Sequence, residues 1–323
     1  MTHAIRIAAF GGPDVLAWEP VTVGDPGPGQ VRIRHTAVGL NFIDVYERTG
    51  LYPNPLPFGP GREAAGVIEA VGPKVSGFAV GDRVAYVLGS AGAYSEVRVA
   101  PAERIVKLPQ GIRDSVGAAI MLKGLTAQAL LRKTYRVKRG DEVLIHAAAG
   151  GVGLILTQWA KHLGARVIGV VGSNDKANLV RQHGADLVLL DTDDWVRASK
   201  DFTRGQGVNV VYDSVGQATF MRSLDCLRPL GMMVTFGNAS GPVQPVAPLE
   251  LSKRGSLFLT RPTLFHYIST RMNLTRAAND LFSVVEQGAV RVHIGQTYAL
   301  KDAAQAHRDL EARKTVGSTV FVV

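Results

Sequence analysis

The sequence predicts an α/β protein: a doubly wound parallel sheet joined to a second, β-rich region. Two observations predict the first part. Residues 142–173 run from an apolar stretch of strand length through a small-residue turn into an amphipathic helix, and a second β-rich run closes the unit. The same alternation of strand and helix then continues over residues 123–260. A third observation predicts the second region. Residues 1–122 carry short alternating or β-branched segments broken by turn chemistry, such as Gly24-Asp25-Pro26-Gly27-Pro28-Gly29 and Gly81-Asp82, which reads as a small, twisted, barrel-like sheet.

The elements follow in order. Strands are expected at residues 4–9, 30–38, 64–71, 83–86 and 93–99, and a helix at 115–132. The alternating region then has strands at 142–147, 166–171, 187–190, 209–212 and 232–236, with a further apolar run at 256–260. The tail predicts helices at 271–287 and 302–312 and a last strand at 318–323. Final strands after a parallel half commonly return to the first region, so the expected domains are 1–122 with 261–323, and 123–260.

The turn after the strand at 142–147 is the chemically informative one. It reads Ala148-x-Gly150-x-x-Gly153, an alanine standing for the first glycine of a dinucleotide-binding turn, with strand before and helix after as that motif requires. Gly150 lets backbone approach a pyrophosphate, Gly153 lets helix and strand pack closely, and the helix start offers free N–H groups and a positive dipole end. An NAD site places Asp or Glu at the end of the second strand, to take the ribose 2′-hydroxyl. Here Gly172 and Ser173 stand there, with Lys176 in the next turn and Arg181 beyond. A small residue leaves room for a 2′-phosphate and a lysine pairs with its charge, so NADPH is expected over NADH. Asp175 opposes this, although an acid in a first helical turn also suits the dipole.

Composition narrows the class. The chain has 323 residues, 46% hydrophobic and 20% charged, with no apolar run of membrane-spanning length. The start, Met-Thr-His-Ala-Ile-Arg, does not read as a signal peptide. Cys226 is the lone cysteine, which agrees with a reducing, cytoplasmic compartment and excludes a thiolate zinc site. His35, His146, His162, His183, His266 and His293 are scattered without ligand spacing, so no metal is expected. The net charge of +9 permits phosphate-rich partners, nucleic acid included. The dense run Arg132, Lys133, Arg136, Lys138 and Arg139 follows a helix end, where cations suit the dipole.

The chain resembles the medium-chain dehydrogenase/reductase superfamily, and within it the zinc-independent NADPH:quinone oxidoreductases related to ζ-crystallin. Six stretches carry the resemblance: Gly39-Leu40-Asn41-Phe42-Ile43-Asp44-Val45-Tyr46; Gly61-Arg62-Glu63 running on to Gly72, then Gly81-Asp82; Lys123-Gly-Leu-Thr126; the turn at 147–153; Tyr212-Asp213-Ser214-Val215-Gly216; and Phe236-Gly237-Asn238. Arg62 stands where the zinc enzymes carry a histidine ligand. The resemblance implies a GroES-like, discontinuous domain at 1–122 and 261–323, a Rossmann domain at 123–260, and a cofactor in the cleft between them. It implies nicotinamide-side contacts from Asn41, Phe42, Ile43, Asp44, Val45 and Thr126. Gly150, Gly151 and Val152 would meet the pyrophosphate. Gly172, Ser173 and Lys176 would meet the adenosine phosphate, Ser214, Phe236, Gly237 and Asn238 would line the strand ends, and Arg313 would reach back to the cofactor. Where the family often has a tyrosine near the adenine ribose, this chain has Asp191.

The activity so implied is NADPH-dependent quinone reduction. A quinone needs a hydride and then a proton that solvent can supply, so no indispensable acid is expected. Tyr46 and Tyr52 are the candidates to stack a flat ring, and Asn41 and Arg62 to orient a carbonyl. Tyr46 and Tyr52 equally suit packing near Pro53 and Pro55, and Arg62 with Glu63 equally suits an ion pair. Alternatives are reduction of the C=C bond of α,β-unsaturated carbonyls and binding of single-stranded RNA. A homodimer is expected by analogy with relatives.

Overall fold

The computed structural model describes residues 1–323, and the chain divides into two compact units. The first comprises Met1–Leu125, Ile268–Glu286 and Val292–Val323; the second comprises Thr126–Tyr267 and Gln287–Arg291. In chain order the elements are β1 (Thr2–Arg6), β2 (Ala17–Val21), β3 (Gln30–Leu40), α1 (Phe42–Arg48), β4 (Glu63–Val71), β5 (Arg83–Val87), β6 (Val97–Pro101), β7 (Ile105–Lys107) and α2 (Asp114–Ala129). There follow β8 (Glu142–His146), α3 (Gly151–His162), β9 (Arg166–Val171), α4 (Asn174–Gln182), β10 (Leu187–Leu190), α5 (Trp195–Phe202), β11 (Val208–Asp213), α6 (Phe220–Asp225), β12 (Leu227–Thr235), α7 (Leu249–Lys253), β13 (Phe258–Thr260) and α8 (Leu264–Tyr267). The chain ends with α9 (Arg271–Glu286), β14 (Ile294–Ala299), α10 (Ala303–Glu311) and β15 (Ser318–Val322).

The second unit holds a six-stranded sheet in the order β10-β9-β8-β11-β12-β13, every pairing parallel. Stepping outward from β8 in both directions makes it doubly wound, as the alternation of strand and helix predicts. Its core is Leu144, Ile168, Val170, Val211, Met233 and Trp195, with Phe220 and Leu224 from α6. Central strands of a parallel sheet are buried on both faces, which is why 143–145 and 210–212 read as continuous apolar runs.

The first unit holds a seven-stranded sheet, β14-β15-β3-β4-β5-β7 with β6 also paired to β3, and a separate β1–β2 ribbon. All its pairings are antiparallel except β14 with β15. Ile5, Ile33, Ile68, Tyr86, Tyr94, Ile105 and Phe321 fill its core. The register of β15 on β3 sets Thr319 opposite Leu40, so the last strand flanks the strand that leads into α1.

Several boundaries differ from expectation, for tertiary reasons. The first strand ends at Arg6, because beyond the single bridge Ile7↔Phe58 the chain turns at Gly11, Gly12 and Pro13. The strand expected at 93–99 begins only at Val97; the preceding residues meet β1 as a bridge, Ala4↔Ser95, and through the Ile5 N–H to the Tyr94 carbonyl. α2 stops at Ala129 and passes into a π-helical turn, Leu130–Thr134. There the Leu130 carbonyl accepts the N–H of Tyr135, five residues on, and the Tyr212 hydroxyl. α1 was not expected as a helix. Its start is closed by Asp44, whose carboxylate accepts the Asn41 N–H at 2.9 Å, half of a capping box. No helix is long and apolar enough to cross a membrane.

Gly66 shows how tightly β3 and β4 are laid together. A Cβ there would meet the Arg34 carbonyl oxygen at 2.1 Å and the His35 Cα at 2.8 Å, both backbone. Gly66→Ala is expected to lower the melting temperature by about 5 °C or more, since backbone must move to admit the methyl group. Gly24→Ala, at an exposed position with nothing within 4 Å, is expected to change it little. Thermal unfolding of the two variants followed by circular dichroism checks both.

Candidate functional site

In the second unit the dinucleotide turn is built from backbone. The Ala148 N–H donates to the Val170 carbonyl, and Gly150 N–H to the Ala147 carbonyl at 2.9 Å. Gly150 is then the N-cap of α3, with an extended backbone, and no side chain caps the helix start. The first N–H groups of α3 are therefore left for a ligand, and its first turn carries no acid to compete for them. Gly153 is where a glycine is required: a Cβ would meet the Ala147 oxygen at 2.4 Å and the Ala148 Cα at 2.7 Å. Ala147 bends into the left-handed region, φ 50°, to make the turn, a conformation costing an alanine roughly 1 kcal/mol.

Beside this turn, β9 ends at Val171, and Gly172 and Ser173 are exposed. Ser173 caps α4, its hydroxyl accepting the Lys176 N–H at 3.4 Å. Asp191 follows β10 and donates its N–H to the Val171 carbonyl at 2.8 Å, so it stands by the same strand end.

The ends of β11 and β12 are laced together. Asp213, fully buried, accepts the N–H groups of Val215 (2.7 Å) and Gly216 (3.0 Å) and the hydroxyls of Thr219 and Ser223. This folds the Ser214 turn. Gly237 lies hard against it, since a Cβ there would meet the Ser214 oxygen at 2.3 Å. Arg261, just past β13, donates from Nη1 to the Thr235 hydroxyl and the Gly237 carbonyl, both at 3.0 Å. The structure thus brings Ser214, Phe236, Gly237 and Asn238 to one end of the sheet, with Gly150, Gly151 and Val152 at the carboxyl end of β8, the neighbour of β11. Thr126 lies half-buried on α2.

In the first unit Asn41, Phe42, Ile43, Asp44, Val45 and Tyr46 form the start of α1. Phe42 and Ile43 keep partial exposure, whereas Asp44 and Val45 are buried. Tyr46 and Tyr52 form an edge-to-face pair, 5.4 Å between ring centroids, and Tyr52 N–H donates to the Tyr46 carbonyl. Tyr46 is buried and Tyr52 exposed. Arg62 corrects the expectation of a pair with Glu63: its Nε donates to Glu47 Oε1 at 2.8 Å, and its Nη1 reaches the Leu88 and Gly89 carbonyls. Glu63, at the start of β4, takes Asn41 and Lys123 instead. Arg313 is exposed in this unit, just beyond α10, at φ 59°.

A buried polar chain supports α1. Arg48, 1% exposed, forms a two-pronged pair with Glu311 and reaches His307 Nδ1 at 3.2 Å. His307 Nε2 meets the Tyr94 hydroxyl at 3.1 Å, and that hydroxyl donates to Asp44 Oδ2 at 2.9 Å. Burial lowers the His307 pKa to about 3, so the ring is neutral; with Arg48 donating to Nδ1, the proton sits on Nε2. Burial, then the nearby Glu47 charge, raises the Asp44 pKa to about 7. Asp44 Oδ1 has no hydrogen-bond partner, which suits a protonated carboxyl there; Glu47 Oε2, one helical turn on, has none either.

The sequence reading missed a second buried group. Glu63 Oε1 accepts Asn41 Nδ2 at 2.7 Å and Lys123 Nζ at 2.8 Å, while Oε2 accepts the Leu122 N–H at 2.6 Å. Glu63 and Lys123 both lay in noted runs, but 60 positions separate them and no periodicity links β4 to α2. No group of three or more His, Cys, Asp or Glu side chains is arranged to hold a metal ion.

Comparison with known proteins agrees with this geometry. Residues 27–110 match the alcohol dehydrogenase GroES-like domain family, and residues 151–284 match the zinc-binding dehydrogenase family. The chain is 52% identical to a quinone oxidoreductase of Pseudomonas aeruginosa and 48% identical to a 2-haloacrylate reductase of a Burkholderia species. All of this chain is covered in both, with 100% and 99% of those chains. The crystal structure of Escherichia coli quinone oxidoreductase complexed with NADPH superposes with a TM-score of 0.97 at 47% identity, covering 100% of each chain. The chain belongs to the quinone oxidoreductase family of the medium-chain dehydrogenases/reductases.

Proposed function

We propose that the chain binds NADPH and uses it to reduce quinones, without a resident zinc ion. The observation that carries this is the turn at 147–153: Gly153 has no room for a Cβ, and the start of α3 leaves its N–H groups uncapped. Those features suit a pyrophosphate, and the absence of a carboxylate at Gly172 and Ser173 suits a 2′-phosphate with Lys176. The NADPH complex of the Escherichia coli relative supports the same reading. The absence of a converging donor set supports a reaction without bound metal.

NADPH, when bound, would supply two electrons to the acceptor, as a hydride or in single-electron steps. In this reading Gly150, Gly151 and Val152 hold the pyrophosphate through backbone, and Gly172, Ser173 and Lys176 hold the adenosine phosphate. From the second unit, Thr126, Ser214, Phe236, Gly237 and Asn238 are assigned to the cofactor; from the first, Asn41, Phe42, Ile43 and Arg313 are. Asp44 and Val45 act from behind, by fixing α1. Tyr46, Tyr52 and Asn41 frame the flat acceptor, and Arg62 braces the frame through Glu47. Residues 1–122 and 261–323 form the GroES-like substrate domain, and 123–260 the dinucleotide-binding domain. The relative that reduces 2-haloacrylate favours, as a second reading, reduction of a C=C bond conjugated to a carbonyl.

We also place the protein in the cytoplasm, its lone Cys226 buried and held protonated by burial, which raises its pKa to about 12. It is proposed to be a homodimer through β13. That strand is an edge of the parallel sheet, and it exposes Phe258 (55%) and Leu259 (39%); Leu230 and Leu249 are exposed in the same unit. Two such edges related by a two-fold axis pair antiparallel.

Three outcomes are expected. NADPH oxidation is faster with p-benzoquinone than with an alkenal; equal rates in a side-by-side assay would remove the preference for quinones. Lys176→Ala weakens NADPH by roughly 10-fold or more, the worth of a charge-assisted hydrogen bond, and NADH little. Parallel titrations with the two cofactors check this, and equal losses refute the phosphate contact. Phe258→Asp halves the mass seen by light scattering, and an unchanged mass places the dimer contact elsewhere.

A further inference from the structure

Lys123 lies on α2, 6% exposed, and its one hydrogen-bond partner in the protein is Glu63 Oε1. An ammonium carries three N–H donors, so two are unspent. Buried polar groups ordinarily have their partners, and a buried cation short of them is costly. Stability alone does not account for the pair, because a buried ion pair is often no better than apolar residues of similar volume. Asn41 Nδ2 donates to the same Glu63 oxygen, so the ammonium stands beside the amide that opens α1. Gly39 keeps the place open: a Cβ there would meet Glu63 Oε1 at 2.3 Å and the Ala118 oxygen at 2.4 Å. The other charged groups nearby are Asp44 and Glu47 on α1, and Glu47 already has Arg62.

We propose that Lys123 is a further catalytic residue, which uses its two unspent N–H donors to hold the oxyanion formed on the acceptor; this rests on the reductase reading above. Addition of a hydride to a quinone, or to a C=C bond conjugated to a carbonyl, moves a π electron pair onto a carbonyl oxygen. The acceptor gains two electrons, the dihydronicotinamide loses them, and solvent supplies the proton that neutralises the oxyanion. Lys123 transfers no proton in this step; its ammonium stays paired with the Glu63 carboxylate at 2.8 Å. It therefore acts by electrostatics, in a buried place where a positioned donor is worth most. Asn41, fixed by the same carboxylate, is held in register with it.

The test compares Lys123→Met, Lys123→Arg and the double variant Lys123→Met with Glu63→Gln, which removes both buried charges so that the fold is not left with an unpaired one. NADPH affinity is measured by nicotinamide fluorescence, and turnover with p-benzoquinone and with an alkenal. The expected result is a loss of kcat of about 100-fold for Lys123→Met and for the double variant, the scale for deleting an oxyanion donor. NADPH affinity should stay within about 3-fold, and Lys123→Arg should recover much of the loss because it keeps the charge. Wild-type kcat in the double variant, or a loss confined to NADPH affinity, overturns the proposal. A wild-type protein that binds NADPH yet turns over neither acceptor overturns the reductase reading, and this inference with it.

Discussion

Three elements of the first unit meet at one buried carboxylate. Glu63 begins β4, and its two oxygens take the Asn41 amide that opens α1, the Lys123 ammonium, and the N–H of Leu122 in the middle of α2. A fully buried charge persists only where its acceptor sites are filled, and here three donors fill them. The contact demands space, which Gly39 provides by having no side chain. If Glu63 were apolar, Asn41 and Lys123 would lose the carboxylate they share.

The second unit solves a different problem with different means. An anion is to be held there, and the fold meets it with backbone. Alanines and glycines bring the β8–α3 junction so close that Gly153 cannot gain a carbon, and α3 begins with its N–H groups uncommitted. Asp213 and Arg261 spend their charges within the protein, lacing the ends of β11 and β12. The first unit commits buried charges in pairs; the second commits one helix end and several absent side chains. Both are forms of preorganisation, since the groups are placed before a ligand arrives.

How much of this was legible depended on sequence separation. The β8–α3–β9 unit spans few residues and its chemistry is local, so strand, turn and helix could be read directly, and the end of β9 could be read for its missing carboxylate. The same holds for the six parallel strands. Local reading failed where partners were distant. Arg62 stands next to Glu63 in the chain yet pairs with Glu47 on α1. Glu63 takes Lys123 from 60 positions away, and Arg48 takes Glu311 from 263. Tyr46 and Tyr52 could be read as ring-stacking residues or as packing; the fold sets them edge to face with each other, Tyr46 buried and Tyr52 exposed.

By itself the sequence determined the class: an α/β chain with a doubly wound parallel sheet, a β-rich companion, and a nucleotide turn in a family of reductases. Those follow from hydrophobic period and small residues at fixed spacing, which act over a few residues and are written in order along the chain. Only the tertiary structure decided which charges are paired, which side chains of the segment at 41–46 are buried, and that Lys123 stands beside Asn41 with donors to spare. The reason is physical: a strand or a turn is set by neighbours in the chain, whereas burial and ion pairing are set by what the fold brings from far away.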